Sequence, residues 1–461
     1  MLALPNVHGV TDWDRMAADR RIAKRDRMLA RYLREVVHPF SVTEARRLDD
    51  AGLRGGRLKR ADDLDAVRPV DPAEVDGIAA VLRPTAAGVA SSPDRFRWWW
   101  ATLTGRRATF VDEEVEPRFR PIHFDDHGAL VVASSAADLD RLADLGRRAL
   151  GLAGVRRADA VVSVLPARGD LSFWHLTLGC RRGGVAALHL GESVPAADVA
   201  SYAPTVLAGS TATLRRVATE AAADPAVGDG LAGVRLVLVA ERLDGEDRVE
   251  LAERFPGAAI RAMWCPAGVR APWVECTAGN LHTWPDAEVV QVLDQRDRGG
   301  RGAGSIVWSP LGWHGTVVLR LRTGLRGRLV DEPCGCGARS PRLVLVDAAA
   351  DAADAADADA DDVRSGNGEL EAALAAILDA EPLVASWFAE VRDGDGRGRP
   401  EVLVHLAPER GQRAALEADL ARLGRALAVN RVVAVDRVVV ERPSLVNERI
   451  ERSDGVRVSP R

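Results

Sequence analysis

The sequence predicts an α/β protein with a large amino-terminal domain of helix-covered, mainly parallel sheets and a small α+β carboxy-terminal domain. The chain has 461 residues, about three times the usual domain length, which suggests more than one folding unit. Its central part alternates short apolar runs with amphipathic segments. An acidic stretch of low complexity then separates this part from the end of the chain.

Residues 1–90 are predicted to form a helical extension of the large domain. Residues 11–37 place apolar side chains at helical spacing among many charges, which is typical of an amphipathic helix. We expect this helix to cap the amino-terminal region with its charged face in solvent.

From about residue 128 the pattern becomes β, α, β and is then repeated. The predicted strands are ALVVA, AVVSVLP, VRLVLVAE and AAIRAMWC, and the predicted helices are AADLDRLADLGRRALGLAG and TATLRRVATEAAA. Such alternation favours parallel strands covered by helices. Functional residues of these folds are found at the ends of the strands.

The segment 347–362 reads DAAADAADAADADADD. It has no β-branched or aromatic side chain to bury, so it predicts a solvated linker. Residues 363–461 then alternate two helical segments with three strand-like runs, which predicts a small α+β domain. The expected organisation is therefore a large domain over 1–346, a linker over 347–362 and a small domain over 363–461.

The composition argues against several classes of partner. A net charge of −5 provides no electrostatic attraction for nucleic acid. No run approaches the roughly 18 consecutive apolar residues of a membrane-spanning helix, and the first residues lack the basic-then-apolar pattern of a signal peptide. We expect a cytoplasmic protein with no nucleic-acid or membrane partner.

The five cysteines fit a reducing compartment, because an odd number cannot be fully paired in disulfides. Two of them lie close together in PCGCG, where glycines let the backbone bend around an ion. A third cysteine and a histidine lie in ECTAGNLH. The resulting candidate metal ligands are Cys276, His282, Cys334 and Cys336. Three thiolates and one imidazole suit a structural zinc, and unliganded cysteines are the alternative.

Four segments, taken in order, resemble the phenylacetate-CoA ligase family of AMP-forming ligases. YAPTVLAGSTATLRRVA is similar to the P-T-V-L-x-G segment of that family, and VRLVLVAERL is similar to its G-G-E-x-L strand. LRLRTGL resembles R-Y-R-T-G-D, and PCGCGARSPR resembles P-C-x-C-G-R with the Pro-Arg pair. The resemblance covers roughly residues 120–460.

Members of this family join a carboxylic acid to coenzyme A through an acyl-adenylate made from ATP. The resemblance therefore implies ATP with Mg²⁺ and CoA as ligands, an aromatic or fatty acid as substrate, and a homodimer as a candidate assembly. The positions that match motifs of the nucleotide site are Glu241, Trp264, Arg320, Arg322, Thr323 and Gly324. A surface carboxylate at Glu241, and structural ion pairs at the two arginines, are the alternatives for these positions.

Several parts of the family's phosphate-binding apparatus are missing. Its Ser/Thr/Gly-rich loop falls on Ile122 to Ala129, IHFDDHGA, and its ribose-binding aspartate falls on Leu325. No acidic residue follows Trp264 closely to hold Mg²⁺. The chain has only two lysines, Lys24 and Lys59, neither of them near the carboxy-terminal motif.

Other residues are candidate replacements for these parts. In the carboxy-terminal motif, Arg449 or Arg452 stands nearest to the position of the catalytic lysine. TLTG at 102–105 is a candidate for a displaced phosphate loop. His175 and His314 lie in segments expected to form the pocket, where packed core or loop histidines are the alternative.

Two hypotheses follow from this combination. The favoured one is a divergent homologue that is impaired in ATP-dependent adenylation and acts as a binding or partner protein, for a small carboxylic acid or another protein. The alternative is an active AMP-forming ligase. The first is favoured because stabilisation of phosphoryl charge is the main contribution of such sites, and several of the groups that provide it are absent together.

Overall fold

The computed structural model describes residues 13, 16–53, 58–77, 79–126, 130–166, 171–293 and 303–346. Towards the carboxy terminus it describes 384–392, 401–408, 414–416, 418, 420, 431–434, 439–440, 450–451 and 456–459. The chain divides into two compact units, Met1–Asp351 and Ala352–Arg461. The linker predicted over 347–362 lies outside the described residues.

The first unit begins with short helices that form a layer of their own. In chain order the helices are α1 Ala18–Tyr32, α2 His38–Phe40, α3 Val42–Asp50, α4 Ala86–Ser91, α5 Arg95–Leu103, α6 Arg107–Phe110, α7 Glu116–Phe119, α8 Ala136–Leu152, α9 Leu171–Gly183, α10 Ala196–Ser201, α11 Thr211–Ala223, α12 Pro225–Leu231 and α13 Gly245–Arg254. The helices predicted from TATLRRVATEAAA and AADLDRLADLGRRALGLAG are confirmed as α11 and α8.

The strands of the first unit form a two-stranded hairpin and one large sheet. They are β1 His123–Asp126, β2 Val131–Ser134, β3 Ala160–Ser163, β4 Ala186–His189, β5 Val206–Gly209, β6 Leu236–Val239, β7 Ala259–Trp264, β8 Trp273–Glu275, β9 Leu281–His282, β10 Glu288–Leu293, β11 Gly304–Pro310, β12 Leu321–Val330 and β13 Arg342–Leu345. The order in the large sheet is β10-β11-β12-β13-β9-β8-β7-β6-β5-β3-β4.

The large sheet is mixed, and its two halves follow from the way the strands are connected. Strands β3 to β7 pair in parallel, because helical crossovers separate them along the chain. From β7 to β13 every pairing is antiparallel, and short turns replace the helices. The predicted α/β class is confirmed, with parallel strands in one half and antiparallel strands in the other.

Alternate residues of the parallel strands point to opposite faces and create two apolar cores. Val161 and Leu236 face α8 and α9, whereas Val162 and Val237 face the layer of α10 to α13. A third core lies among the amino-terminal helices, and a fourth lies against the antiparallel half. Both faces of the parallel strands are therefore covered, as their continuous apolar sequences require.

The second unit contains its own four-stranded sheet. The strands of this unit are β14 Val384–Arg392, β15 Glu401–Pro408, β16 Arg431–Ala434, β17 Val439–Val440, β18 Ile450–Glu451 and β19 Val456–Ser459, of which β17 and β18 form a separate antiparallel pair. The sheet order is β16-β15-β14-β19, in which only β14 and β15 are antiparallel. Two of the three strand-like runs predicted between 363 and 461, LVASWFAEV and EVLVHLA, are confirmed as β14 and β15. Within the part of the chain that the structure describes, no helix has the length and apolar character needed to cross a membrane.

Candidate functional site

The carboxyl ends of the parallel strands meet at one edge of the sheet. Ser163, His189, Gly209 and Val239 occupy these ends, and Glu241 follows closely after β6. Ligands of open parallel sheets bind outside such an edge. A residue expected to hold a nucleotide can therefore do so only if its side chain is accessible at this edge.

Residues 122–129, the place of the expected phosphate loop, contain strand β1, whose residues pair in register with β2. Nε2 of His123 lies 2.9 Å from Oδ1 of Asp125, and the His123 ring packs edge-on against Trp174. Asp125 is buried, and its Oδ2 has no hydrogen-bond partner in the described structure. A buried carboxylate repels phosphate instead of cradling it. Residues 127–129 lie outside the described residues.

The alternative phosphate loop, TLTG at 102–105, forms the end of helix α5. The hydroxyl groups of Thr102 and Thr104 donate to the carbonyl oxygens of Trp98 and Trp100 in the same helix, at 2.8 and 3.0 Å. A helix carboxyl end presents carbonyl oxygens and the negative pole of the helix dipole. This geometry disfavours phosphate at that position.

Arg320 is buried, and its guanidinium group is hydrogen-bonded to other residues of the protein. Nη1 donates to the carbonyl oxygens of Leu64, Asp65 and Val67 at 2.7–3.0 Å, and Nη2 pairs with the Asp65 carboxylate at 3.1 Å. The residue has a left-handed backbone conformation with φ 53°, and its N–H donates to Oγ of Ser309. Arg320 therefore ties the large sheet to the amino-terminal extension.

The residues after Arg320 differ in their accessibility. The Arg322 side chain is 41% exposed, with Nε 3.9 Å from an oxygen of Asp71, and Gly324 turns at φ 72° in open space. The Thr323 hydroxyl donates to the Ile306 carbonyl at 2.9 Å. Leu325 packs against the apolar core of the antiparallel half. Arg322 and Gly324 face solvent, whereas Leu325 contributes to packing.

Glu241 and Trp264 have structural partners as well. The Glu241 carboxylate accepts a hydrogen bond from the N–H of Thr211, the first residue of α11. A carboxylate at a helix amino terminus is stabilised by unpaired N–H groups and by the helix dipole. Trp264 is buried and packs edge-on against Trp273, with ring centroids 5.8 Å apart. Both residues hold the sheet edge in place.

The two candidate histidines differ in their hydrogen bonds: both ring nitrogens of His175 have partners, whereas Nδ1 of His314 is buried without one in the described structure. The ring nitrogens of His175 lie 3.1 and 2.9 Å from the carbonyl oxygens of Leu142 and Arg270, and complete burial lowers the pKa of His175 to about 4. Burial also lowers the pKa of His314, whose ring packs on Phe119. The His175 ring is therefore neutral at physiological pH, and both rings pack inside the protein.

The four predicted metal ligands come together in one cluster. Their ligand atoms, from Cys276, His282, Cys334 and Cys336, all lie within 4.8 Å of one another. Cys276 precedes and His282 follows the turn between β8 and β9, and the other two cysteines lie in the turn between β12 and β13. The cluster is thus compatible with a metal ion that would join two turns distant in sequence.

The surroundings of the cluster favour ligation. Nδ1 of His282 lies 3.0 Å from the Ser340 hydroxyl, which leaves Nε2 facing Cys336 at 3.5 Å. Partners of this kind fix a ligating histidine in one orientation. The N–H of Ala278 points at Sγ of Cys276 at 3.4 Å, and an N–H donor stabilises a thiolate.

The contact between the thiols of Cys276 and Cys336 shifts their pKa values in opposite directions. The hydrogen bond with Cys336, together with those of the neighbouring N–H groups, lowers the pKa of Cys276 to about 3, while the same contact raises the pKa of Cys336. At least one thiolate is therefore present at neutral pH. A divalent cation would stabilise the others, since the metal-bound form of cysteine is the thiolate.

A buried network beside the sheet was not anticipated from the sequence. The Asp138 carboxylate accepts hydrogen bonds from the N–H groups of Ser135, His314 and Gly315. The Arg270 guanidinium pairs with it at 3.3 Å and stacks on Trp313. The S-x-x-D pattern at 135–138 is a helix-start signal that could have identified Asp138, but nothing local marks Arg270 as buried.

No family model matches this sequence, and no curated protein matches it. Solved structures of 2-hydroxyisobutyryl-CoA ligase are similar in fold. The complex with 2-HIB-AMP and CoA in the thioesterification state aligns with a TM-score of 0.58 and 15% identity, covering 96% of this chain and 91% of that chain. The open conformation aligns with a TM-score of 0.56 and 16% identity, covering 96% of this chain and 92% of that chain. The postadenylation state with R3-HIB-AMP aligns with a TM-score of 0.57 and 16% identity, covering 96% of this chain and 90% of that chain. The chain therefore has the fold of the adenylate-forming ligases, as the sequence resemblance predicted.

Proposed function

We propose that this protein uses the ligase fold to bind a small carboxylic acid or a protein partner and is impaired in ATP-dependent adenylation. The main support is the buried Asp125 carboxylate at the position of the phosphate loop. A triphosphate there would meet negative charge in a place of low dielectric constant, where like charges repel most strongly.

Two further observations support the same proposal. The Arg320 guanidinium is held by three carbonyl groups of the amino-terminal extension, so it can reach a nucleotide only if that contact breaks. Leu325, at the position of the ribose-binding aspartate, is half-buried against an apolar core and has no acceptor for ribose hydroxyl groups. Phosphate and ribose contacts of the ligase family are thus both replaced.

The alternative is an active AMP-forming ligase for an aromatic or fatty acid. It is favoured by the fold similarity to a CoA ligase whose structures contain 2-HIB-AMP and CoA. In this case Arg322, which is accessible on β12, would supply positive charge near the nucleotide.

Calorimetric titration of the full chain with ATP and Mg²⁺, and separately with AMP, distinguishes the two. We expect no heat of binding, and no pyrophosphate release when ATP and a panel of aromatic and fatty acids are added. AMP binding that is lost in Arg322→Ala, or acid-dependent pyrophosphate release, would establish the ligase alternative. Asp125→Asn in parallel tests whether the buried carboxylate is what excludes the nucleotide.

We also infer that the cluster of Cys276, His282, Cys334 and Cys336 binds one structural zinc ion. Three sulfurs and one nitrogen suit tetrahedral Zn²⁺ better than Mg²⁺ or Ca²⁺, which prefer oxygen. The four side chains are buried or half-buried against an apolar core, so the ion would stabilise the fold without access to substrate.

Metal analysis of protein purified without an affinity tag tests this site. We expect about one zinc ion per chain, its loss in Cys334→Ser, and a lower midpoint of thermal unfolding when zinc is removed. Cys180→Ala is the matched control, since this buried thiol lies outside the cluster and should leave the zinc content unchanged. Metal-free, fully folded wild-type protein would rule the site out.

A further inference from the structure

A pocket with a volume of about 180 Å³ lies in the layer of amino-terminal helices. Four leucine side chains contribute to its lining, namely Leu33, Leu48, Leu53 and Leu58. Leu33, Leu48 and Leu58 are at most 5% exposed and belong to the apolar core of these helices. The inner part of the pocket is therefore apolar, and it continues the core.

The polar residues of the lining are more exposed than the leucines, so they form the mouth of the pocket. Arg34 and Ser91 are exposed, and His38 is half-buried. Among the described residues that line the pocket, Arg34 and His38 carry the titratable side chains, and none is acidic. The mouth therefore presents groups that attract an anion, in front of an apolar interior.

Both basic side chains keep nitrogen atoms for a ligand. Nη2 of Arg34 donates to Glu35 at 2.8 Å, and the described residues provide no partner for its Nε or Nη1. Nε2 of His38 lies 3.1 Å from Oδ1 of Asp49, which holds the ring by one nitrogen and leaves Nδ1. Glu35 is shared with Arg31, so three basic side chains stand against two carboxylates. Protonation of His38 therefore gives this group an excess of positive charge.

The backbone at the mouth departs from the regular α-helix. Between α1 and α2 the chain forms a π-helix over Leu33–Val37, which contains Arg34 and directly precedes His38. π-Helical turns are rare within α-helices and are frequent at functional sites. The backbone thus marks the same place as the pocket and its basic side chains, by an observation that does not depend on them.

The size and the charge of the pocket define the ligand that fits it. An apolar cavity of about 150 Å³ lined by Leu, Ile and Phe is large enough for benzene. A volume of about 180 Å³ therefore admits one phenyl ring or an alkyl chain of similar size. The guanidinium fork of an arginine matches the geometry of a carboxylate. A sugar or a nucleotide base would bring polar groups against the leucines, where they would lack hydrogen-bond partners.

We propose that this pocket, here called the leucine pocket, binds a monocarboxylate whose apolar tail is about the size of a benzene ring. The carboxylate lies on Arg34, and the tail packs against Leu48 and Leu58. The inference rests on the proposed function in one respect, the class of ligand, which is a small carboxylic acid. It does not depend on whether the edge of the large sheet binds a nucleotide. The amino-terminal extension then carries a ligand site of its own.

Calorimetric titration of the full chain with benzoate tests the ligand class. We expect saturable binding at one site, and binding of benzamide and of acetate that is weaker by about tenfold or more, because benzamide lacks the charge and acetate lacks the ring. A wild type that does not bind benzoate overturns the proposal. So does acetate binding of equal strength, which would mean an adventitious ion only, and so does benzamide binding of equal strength.

Substitutions in the leucine pocket test the place of binding. Arg34→Gln removes the charge and Ala30→Leu fills the pocket, so each should weaken benzoate binding by about tenfold or more. Arg31→Gln is the matched control, because Arg31 also pairs with Glu35 but does not line the pocket, and it should bind like the wild type. Thermal unfolding shows that each variant is folded.

Two results of these substitutions would overturn the leucine pocket. Wild-type affinity in Arg34→Gln or in Ala30→Leu would mean that benzoate binds elsewhere on the chain, which leaves the proposed binding of a small acid intact. An equal loss in Arg31→Gln would mean that the general charge of this helix, and not the pocket, attracts the ligand.

Discussion

Arg320 illustrates how a residue that resembles a ligand contact can hold the fold together. Its side chain satisfies three carbonyl groups of the extension and one carboxylate. We expect Arg320→Met to lower the free energy of unfolding by roughly 2–4 kcal/mol, since hydrogen bonds to charged groups contribute about 1.5–3 kcal/mol and buried carbonyls would lose their donors. Urea denaturation followed by tryptophan fluorescence measures the change.

Arg322→Met is the matched control for this substitution. The same change is made two residues further along the chain, on β12, where the side chain is 41% exposed. Its effect on stability should stay within about 0.5 kcal/mol. Equal effects of the two substitutions would show that Arg320 does not tie the extension to the sheet.

Glu288 is a buried carboxylate that lacks a cationic partner in the described structure. It accepts hydrogen bonds from the indole N–H groups of Trp273 and Trp308 and from the backbone N–H of Trp284. Burial raises the pKa of Glu288 from 4.5 to about 7. The folded protein therefore holds a proton that the unfolded chain has released, and the stability from this group is lost as the pH rises from about 4.5 to about 7.

The pH dependence of Glu288→Gln tests this effect, because glutamine does not titrate. Relative to the wild type, the variant should gain stability between pH 5 and pH 8, by at most roughly 3 kcal/mol, since one unit of pKa shift corresponds to about 1.4 kcal/mol. Unfolding free energies of both proteins across this range provide the comparison. Parallel pH profiles would mean that Glu288 is ionised throughout.

At the scale of single residues, the sequence predicted where the candidate residues lie better than it predicted what each of them does. The Cys and His spacing predicted four side chains that the structure brings into one cluster, because cysteine turns carry their chemistry in the local motif. The strand that follows Arg320, β12, and the strand that precedes Glu241, β6, were also predicted. The partners of Arg320 and Arg270 were not foreseen, because they come from segments far apart in sequence and no local pattern encodes them.

Between elements, the packing of α8 against α9 depends on two glycines. A methyl group on Gly146 would overlap the carbonyl oxygen of His175, and one on Gly179 would lie 2.5 Å from the backbone of Gly146. We expect Gly146→Ala to destabilise the protein by about 1–3 kcal/mol, because the helices must separate and the rest of the contact is lost. Thermal and urea unfolding measure this loss.

Gly245→Ala is the control for helix propensity. Gly245 starts α13 and has no atom within 4 Å of an added methyl group, so alanine there should be neutral or slightly stabilising. If both variants were equally stable, the close approach of α8 and α9 would not be a constraint on the fold.

Helices could be predicted where the helical period extends over many residues, as in α8 and α11. Strands could be predicted where the sequence is continuously apolar, as in β6. The antiparallel half of the sheet was less predictable. Strands β8 and β9 have three and two residues, too few for a period to be detected. Their pairing is set by the turn that also carries Cys276 and His282.

At the scale of the whole molecule, the four apolar cores found in the first unit consist, among the residues that the structure describes, of residues before position 346. We therefore expect a fragment of residues 1–346 to fold alone, because a unit with its own cores can be stable by itself. It should unfold in one cooperative transition and retain the zinc content of the full chain. Scanning calorimetry of the fragment and of the full chain provides the comparison. A fragment that unfolds gradually, without a heat-capacity peak, would show that the second unit supplies stability to the first. The four cores would then be insufficient to stabilise the fold by themselves.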